Sequence, residues 1–163
     1  MKVDITEEEY RALLDLLFMA HWVLNSHKTE EDPRTKAYEK VIQKFYTLAE
    51  AMGHAGMVDY DPEAKTHDPS RRFEEATRAW EFIDEFTDDT FWDELVHRLA
   101  ERDAGRTVGG YEQFDRLKAE DRLSLETPFL DRFSKEVDEH GLDRLEIVEQ
   151  FGPITAGPAR TSD

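Results

Sequence analysis

ALLDLLFMAHWVL, Ala12 to Leu24, is the stretch whose reading decides the fold. Only Asp15 and His21 interrupt the run, and its apolar positions go all the way round a helical wheel. A surface helix normally shows one apolar stripe, so a helix of this composition is expected to be surrounded by other protein. The run is too short for a membrane span, which needs about 20 apolar residues. It reads as the central helix of a bundle, or as a helix shared between two subunits.

Its start is well specified. Thr6 and Glu9 have capping-box spacing, Glu7, Glu8 and Glu9 favour the positive end of the helix dipole, and Ile5 with Tyr10 form a hydrophobic-staple pair. The helix is expected over about 6–27. Asp32-Pro33 then starts a second helix, with Tyr38, Val41, Ile42, Phe45, Leu48, Ala49 and Met52 at helical spacing and Gly53 as its left-handed end. The short link implies an antiparallel hairpin of the two helices. Lys36, Lys40 and Lys44 make the one basic row.

Working outward, residues 53–67 read as a loop with Met57, Val58 and Tyr60 tucked onto the bundle. Asp68-Pro69 opens a third helix with the stripe Phe73, Ala76, Trp80, Ile83 and Phe86, and Thr87-Asp88-Asp89-Thr90 separates it from a fourth. Phe91, Trp92, Leu95, Val96 and Leu99 line that fourth helix, which ends before Gly105. Gly105 to Gly110 is a linker, and a helical segment runs from Tyr111 to about Leu125. Thr127-Pro128 stops it and starts another, with Phe129, Leu130, Phe133 and Val137 inward. Gly141 suits a Schellman end, with Leu142 touching Val137. Residues 142–151 alternate like a strand and also fit a helix; the helix is preferred because no strand partner is evident. Residues 152–163 read as a disordered tail, which leaves a single all-α domain over 1–151. The expected fold is an all-α bundle of about five to seven helices.

Composition narrows function. The net charge is −17, and it is uneven: residues 1–58 hold 7 Lys/Arg against 10 Asp/Glu, and the rest hold 14 against 28. A body this acidic repels phosphate backbones, so nucleic acids and anionic membrane surfaces are disfavoured as partners. Ten Phe among 18 aromatics argue against disorder despite the high charge. The absence of cysteine excludes disulfides, thiolate metal sites and Cys nucleophiles. MKVDITEEEY lacks the apolar core of a signal peptide, so a cytoplasmic location is expected.

Motifs for chemistry are sparse. Glu94 and His97 have the Glu-x-x-His spacing of di-iron bundles, but no second such pair exists, and His97 points away from its helix's apolar stripe. His21, His54, His67, Glu94 and His97 are the candidates for a divalent transition metal, without forming a recognisable ligand set. Asp59, Asp61 and Glu63 begin like a calcium loop, but Pro62, Ala64 and Ser70 break the pattern. Gly105 to Gly110 lacks the Lys-Ser/Thr end of a phosphate loop. No catalytic residue or cofactor is assigned. The favoured reading is an acidic interaction module that forms a homodimer through the first helix, with Leu17, His21 and Trp22 at the interface. A metal- or small-ligand-binding bundle is the alternative, and a binder of a basic protein partner, through the nine carboxylates from Glu74 to Glu94, is a third reading.

Overall fold

The computed structural model describes residues 3–146. The fold is mostly all-α, with six α-helices and one two-stranded sheet among the described residues, inside the expected range of five to seven helices. The chain divides between Phe86 and Thr87 into two compact units.

The first unit is built on α1 (Glu7–Asn25). Both halves of its capping box form: Thr6 Oγ1 accepts from the Glu9 N–H at 3.2 Å, and Glu9 Oε2 accepts from the Thr6 N–H at 2.8 Å. The bond from the Thr6 N–H, and then one that the Thr6 hydroxyl donates to Glu9 Oε2 at 2.9 Å, hold the Glu9 carboxyl below its usual range. Tyr10, Leu14, Leu17 and Phe18 are buried. The expectation that α1 is covered on every side is corrected: Leu16 and Val23 are 59% and 55% exposed. Two short flanking layers cannot wrap a helix about 10 Å across, so one apolar side stays in water.

A 3-10 turn (Pro33–Thr35) leads into α2 (Lys36–Tyr46). Tyr10 donates its hydroxyl to the Phe45 carbonyl, and Asn25 donates to Glu39. The start of α1 thus meets the end of α2, and its end meets the start of α2, which makes the hairpin antiparallel. Regular helix stops seven residues before Gly53, and tight turns carry the chain on. There the His54 N–H reaches the Ala49 carbonyl and the Gly53 N–H reaches that of Glu50, the paired bonds of a Schellman motif. Gly53 adopts a φ of 81°, so it does close the segment as its sequence position suggests.

The expected loop at 53–67 contains an antiparallel hairpin instead. β1 (Val58–Asp61) pairs with β2 (Thr66–Pro69) in the register Val58 to Pro69 and Asp61 to Thr66. Asp61 Oδ1 accepts from the Glu63 and Ala64 N–H groups and so shapes the turn. Gln43 covers the outer edge of β2, donating to the His67 carbonyl at 2.8 Å and accepting from its N–H at 2.7 Å. Met57 and Val58 pack on the core as expected, while Tyr60 is exposed. Asp68-Pro69 is therefore strand rather than helix start. Ser70, whose Oγ accepts from the Phe73 N–H, caps α3 (Arg71–Ala76).

The chain breaks at Thr77-Arg78. Thr77 Oγ1 accepts from the Ala79 N–H and donates to Asp15, and Asp15 also takes Arg11 at 2.6 Å. Asp15, an interruption in the apolar run, thus ties α1 to this corner. Beyond it α4 (Ala79–Thr107) contributes Ala79 and Ile83 to the first core and continues through Thr87–Thr90. The separator expected there is absent. Cap preferences of about 1 kcal/mol act only where a chain leaves the helix, and these four exposed side chains cost little inside one.

In the second unit, α4 ends in another Schellman pair, Gly110 N–H to the Gly105 carbonyl and Gly109 N–H to that of Arg106. Gly105 thus lies inside the helix. The expected segment 111–125 splits into α5 (Tyr111–Asp115) and α6 (Ala119–His140). Thr127-Pro128 does not stop α6. Pro128 forfeits the bond to the Ser124 carbonyl, yet Phe129, Leu130, Phe133 and Val137 just beyond it pack on Val96, Leu99 and Ala100, and that burial offsets the loss. Gly141 ends α6 through one bond, to the Val137 carbonyl, and Leu142 is exposed, so the Schellman pairing expected there does not form. Residues 142–144 are a turn and 145–146 have no regular structure, so the helix preferred there does not form over 142–146; 147–151 and the tail 152–163 lie outside the described residues.

No helix among the described residues is long and apolar enough to cross a membrane.

Candidate functional site

Three surfaces combine exposure with specific chemistry. The first is the outward side of α1, where Ala12, Leu16, Ala20 and Val23 are all exposed and recur at helical spacing. The row is about 16 Å long at 1.5 Å per residue. Exposed Glu8 lies beyond one end and exposed His27 beyond the other. Of the three side chains expected at an interface, Leu17 faces its own core and Trp22 is half-buried against it, while His21 is exposed. Counting apolar positions finds the surplus on α1; only the direction of each Cβ shows that Leu16 and Val23 carry it.

The second is a cleft of about 570 Å³ beside the end of α1, with His21, Lys28, Asp32, Lys36, Glu39 and Lys40 among its walls. His21 Nε2 stands 3.8 Å from Glu39 Oε2. Asp32 accepts from Arg34 and Lys28, in that order of effect, and these bonds hold its carboxyl well below the usual carboxylate range. The row Lys36 and Lys40 thus borders a wall on which Asp32 and Glu39 are already engaged.

The remaining metal candidates are dispersed. His54 Nε2 lies 2.9 Å from the Glu7 carbonyl, and its ring stacks on Tyr10 at 5.7 Å. His67 rests against Tyr60, with ring centroids 4.9 Å apart. Glu94 pairs with Arg98 at 2.9 Å rather than with His97. Among the described residues, no group of three or more His, Asp or Glu is placed to hold a metal ion. Asp61 is occupied by its own turn, and Gly105 to Gly110 by a helix end.

The third surface belongs to the second unit. Two pockets of about 420 and 310 Å³ between α4 and α6 share Trp92, Asp93, Val137 and Asp138, and so form one groove. Asp89 extends one end, and His97 with Leu130 the other. Sequence reasoning singled out the acidic run containing Asp89 and Asp93 but not Asp138, which joins them only through tertiary packing. The cue available was Trp92 between two carboxylates one turn apart.

These features define an acidic, predominantly helical protein with an unusually apolar first helix. Comparison of the chain with protein-family models, curated proteins and solved structures gives no match.

Proposed function

We propose that this chain is a cytoplasmic, non-catalytic interaction module that forms a homodimer across the outward row of α1. The observation carrying this reading is the exposed line Ala12, Leu16, Ala20 and Val23. A two-fold interface brings the same patch of both copies together, so a self-complementary apolar line suits it. Antiparallel pairing of the two copies of α1 sets Glu8 of one beside His27 of the other. A stable dimer buries about 800 Å² per partner, more than one short row presents. Tyr38 and Val41, exposed on α2, and Leu48 just beyond it add apolar area in the same unit.

Sedimentation equilibrium at micromolar concentration tests the reading. The chain should be a dimer, and Leu16→Glu with Val23→Glu should give a monomer of unchanged helix content, since both positions are exposed. A wild-type monomer at high micromolar concentration overturns it. A second reading, a small-ligand or transition-metal site, attaches to the cleft beside His21. Zinc titration of tag-free protein should then perturb the His21 ring signal at one equivalent, and no perturbation removes it.

A further inference from the structure

The groove between α4 and α6 belongs to the second unit and rests on a different observation from the α1 row. Trp92, Val96, Leu130 and Val137 line it with apolar side chains beside Ser134 and His97, and it also carries Asp89 and Asp93 from α4 and Asp138 from α6. Some carboxylates of the same helices have cations: Glu94 has Arg98, Asp103 has Arg102, Arg106 and Arg132, and Glu136 has Arg144, while others, such as Asp84 and Glu85, have no ion pair among the described residues. The three groove aspartates have no hydrogen-bond or ion-pair partner among the described residues, and all three are exposed.

We propose that this groove docks a basic amphipathic segment of a partner protein, with apolar side chains against Trp92 and Val137 and arginines on the three aspartates. Charge complementarity selects the sign: each incoming cation relieves repulsion among carboxylates on a body of net charge −17. The spacing selects a peptide over an ion. Asp89 and Asp93 are one helical turn apart, about 6 Å along the axis, and the three aspartates are not gathered into a single metal-holding group. The apolar part of the lining requires an occupant with apolar side chains of its own, which a soluble polycation lacks. Arginine suits the aspartates better than lysine, because its planar fork matches a carboxylate and can stack on the exposed part of Trp92. Nucleic acid and anionic lipid carry the wrong charge.

Fluorescence anisotropy with the full chain and three labelled synthetic peptides tests the proposal. One peptide has leucine and arginine at amphipathic helical spacing, the second replaces arginine with glutamate, and the third replaces leucine with serine. Only the first should bind. The combined variant Asp89→Asn, Asp93→Asn, Asp138→Asn should weaken it by about tenfold or more. The combined variant Glu74→Gln, Asp84→Asn, Glu85→Gln removes equal charge elsewhere and should leave affinity within about twofold. All six substitutions fall on exposed side chains, and circular dichroism should show the fold intact. Equal weakening by both variants overturns the proposal in favour of diffuse electrostatics. Equal binding of the serine peptide, or no binding of the first, overturns it as well. The dimer measurement above is unaffected by any of these outcomes, since none of the six substituted residues belongs to the surface proposed for the dimer.

Discussion

The first unit buries large rings, with Tyr10, Phe18, Tyr46 and Phe73 around the inner side of α1, whereas the second buries Val96, Ala100, Ala104, Phe114 and Phe133. Alanines let α4 be approached closely but remove little apolar area from water, and stabilisation scales with that area. In the second unit three arginines converge on one carboxylate beside the core. Asp103 receives Arg102 at 2.9 Å, Arg106 at 3.0 Å and Arg132 at 3.0 Å, and the Arg132 guanidinium also lies 4.4 Å over the Phe133 ring. Two units of similar length in one acidic chain thus rely on different balances of burial and ionic contact.

The largest effects should come from the rings. Phe73 is 1% exposed, touches Phe18 edge-on at 5.5 Å and lies beneath the Arg11 guanidinium. Phe73→Ala should cost about 3–5 kcal/mol by urea unfolding. Phe133→Ala should fall at or below the lower end of that range, about 3 kcal/mol, because its 8% exposure and thinner surroundings leave a smaller cavity. Equal costs at the two positions would break the contrast.

A smaller effect sharpens the ionic side. Burial pushes the Asp103 carboxyl up, but the hydrogen bond from Arg102 and the charges of Arg102, Arg106 and Arg132 outweigh it, and the net direction is down. A carboxyl whose folded pKa lies below its unfolded value of about 4 stabilises fully above that value. The contribution is lost as pH falls through the lowered folded pKa. Asp103→Asn should therefore cost about 1 kcal/mol at neutral pH, with the difference from wild type closing below about pH 4. A gap that persists in acid would point to lost packing.

The contrast also explains what was legible beforehand. The start of α1 and the closure at Gly53 depend on residues within one turn of each other, and Thr6, Glu9 and Gly53 announce them directly. The hairpin was hidden because VDYD and THDP have scarcely any apolar alternation, and β2 is held by Gln43, 24 residues away. The Thr87–Thr90 cap residues and Pro128 misled for the opposite reason: local preferences of one to a few kcal/mol yield to packing on either side. Neither Leu16's exposure nor Asp138's place in the groove is encoded locally. Both follow from which face each helix turns to its neighbours, and so the candidate surfaces were less readable than the helices that carry them.

The smallest prediction probes an unpaired hydroxyl in the aromatic core of the first unit. Tyr46 is 4% exposed, and its hydroxyl has no hydrogen-bond partner among the described residues; burial first, then the negative charges of Asp68 and Glu39, raise its pKa. Tyr10, buried beside it, spends its hydroxyl on the Phe45 carbonyl. The two phenols should therefore respond with opposite sign. Tyr10→Phe removes a made bond and should cost about 0.5–1.5 kcal/mol, whereas Tyr46→Phe removes only an unpaired polar atom and should be neutral or stabilising by up to about 1 kcal/mol. Thermal unfolding of both variants reads the difference. If Tyr46→Phe destabilises as much as Tyr10→Phe, its hydroxyl contributes to the fold, and the first unit's core is less purely apolar than its contacts indicate.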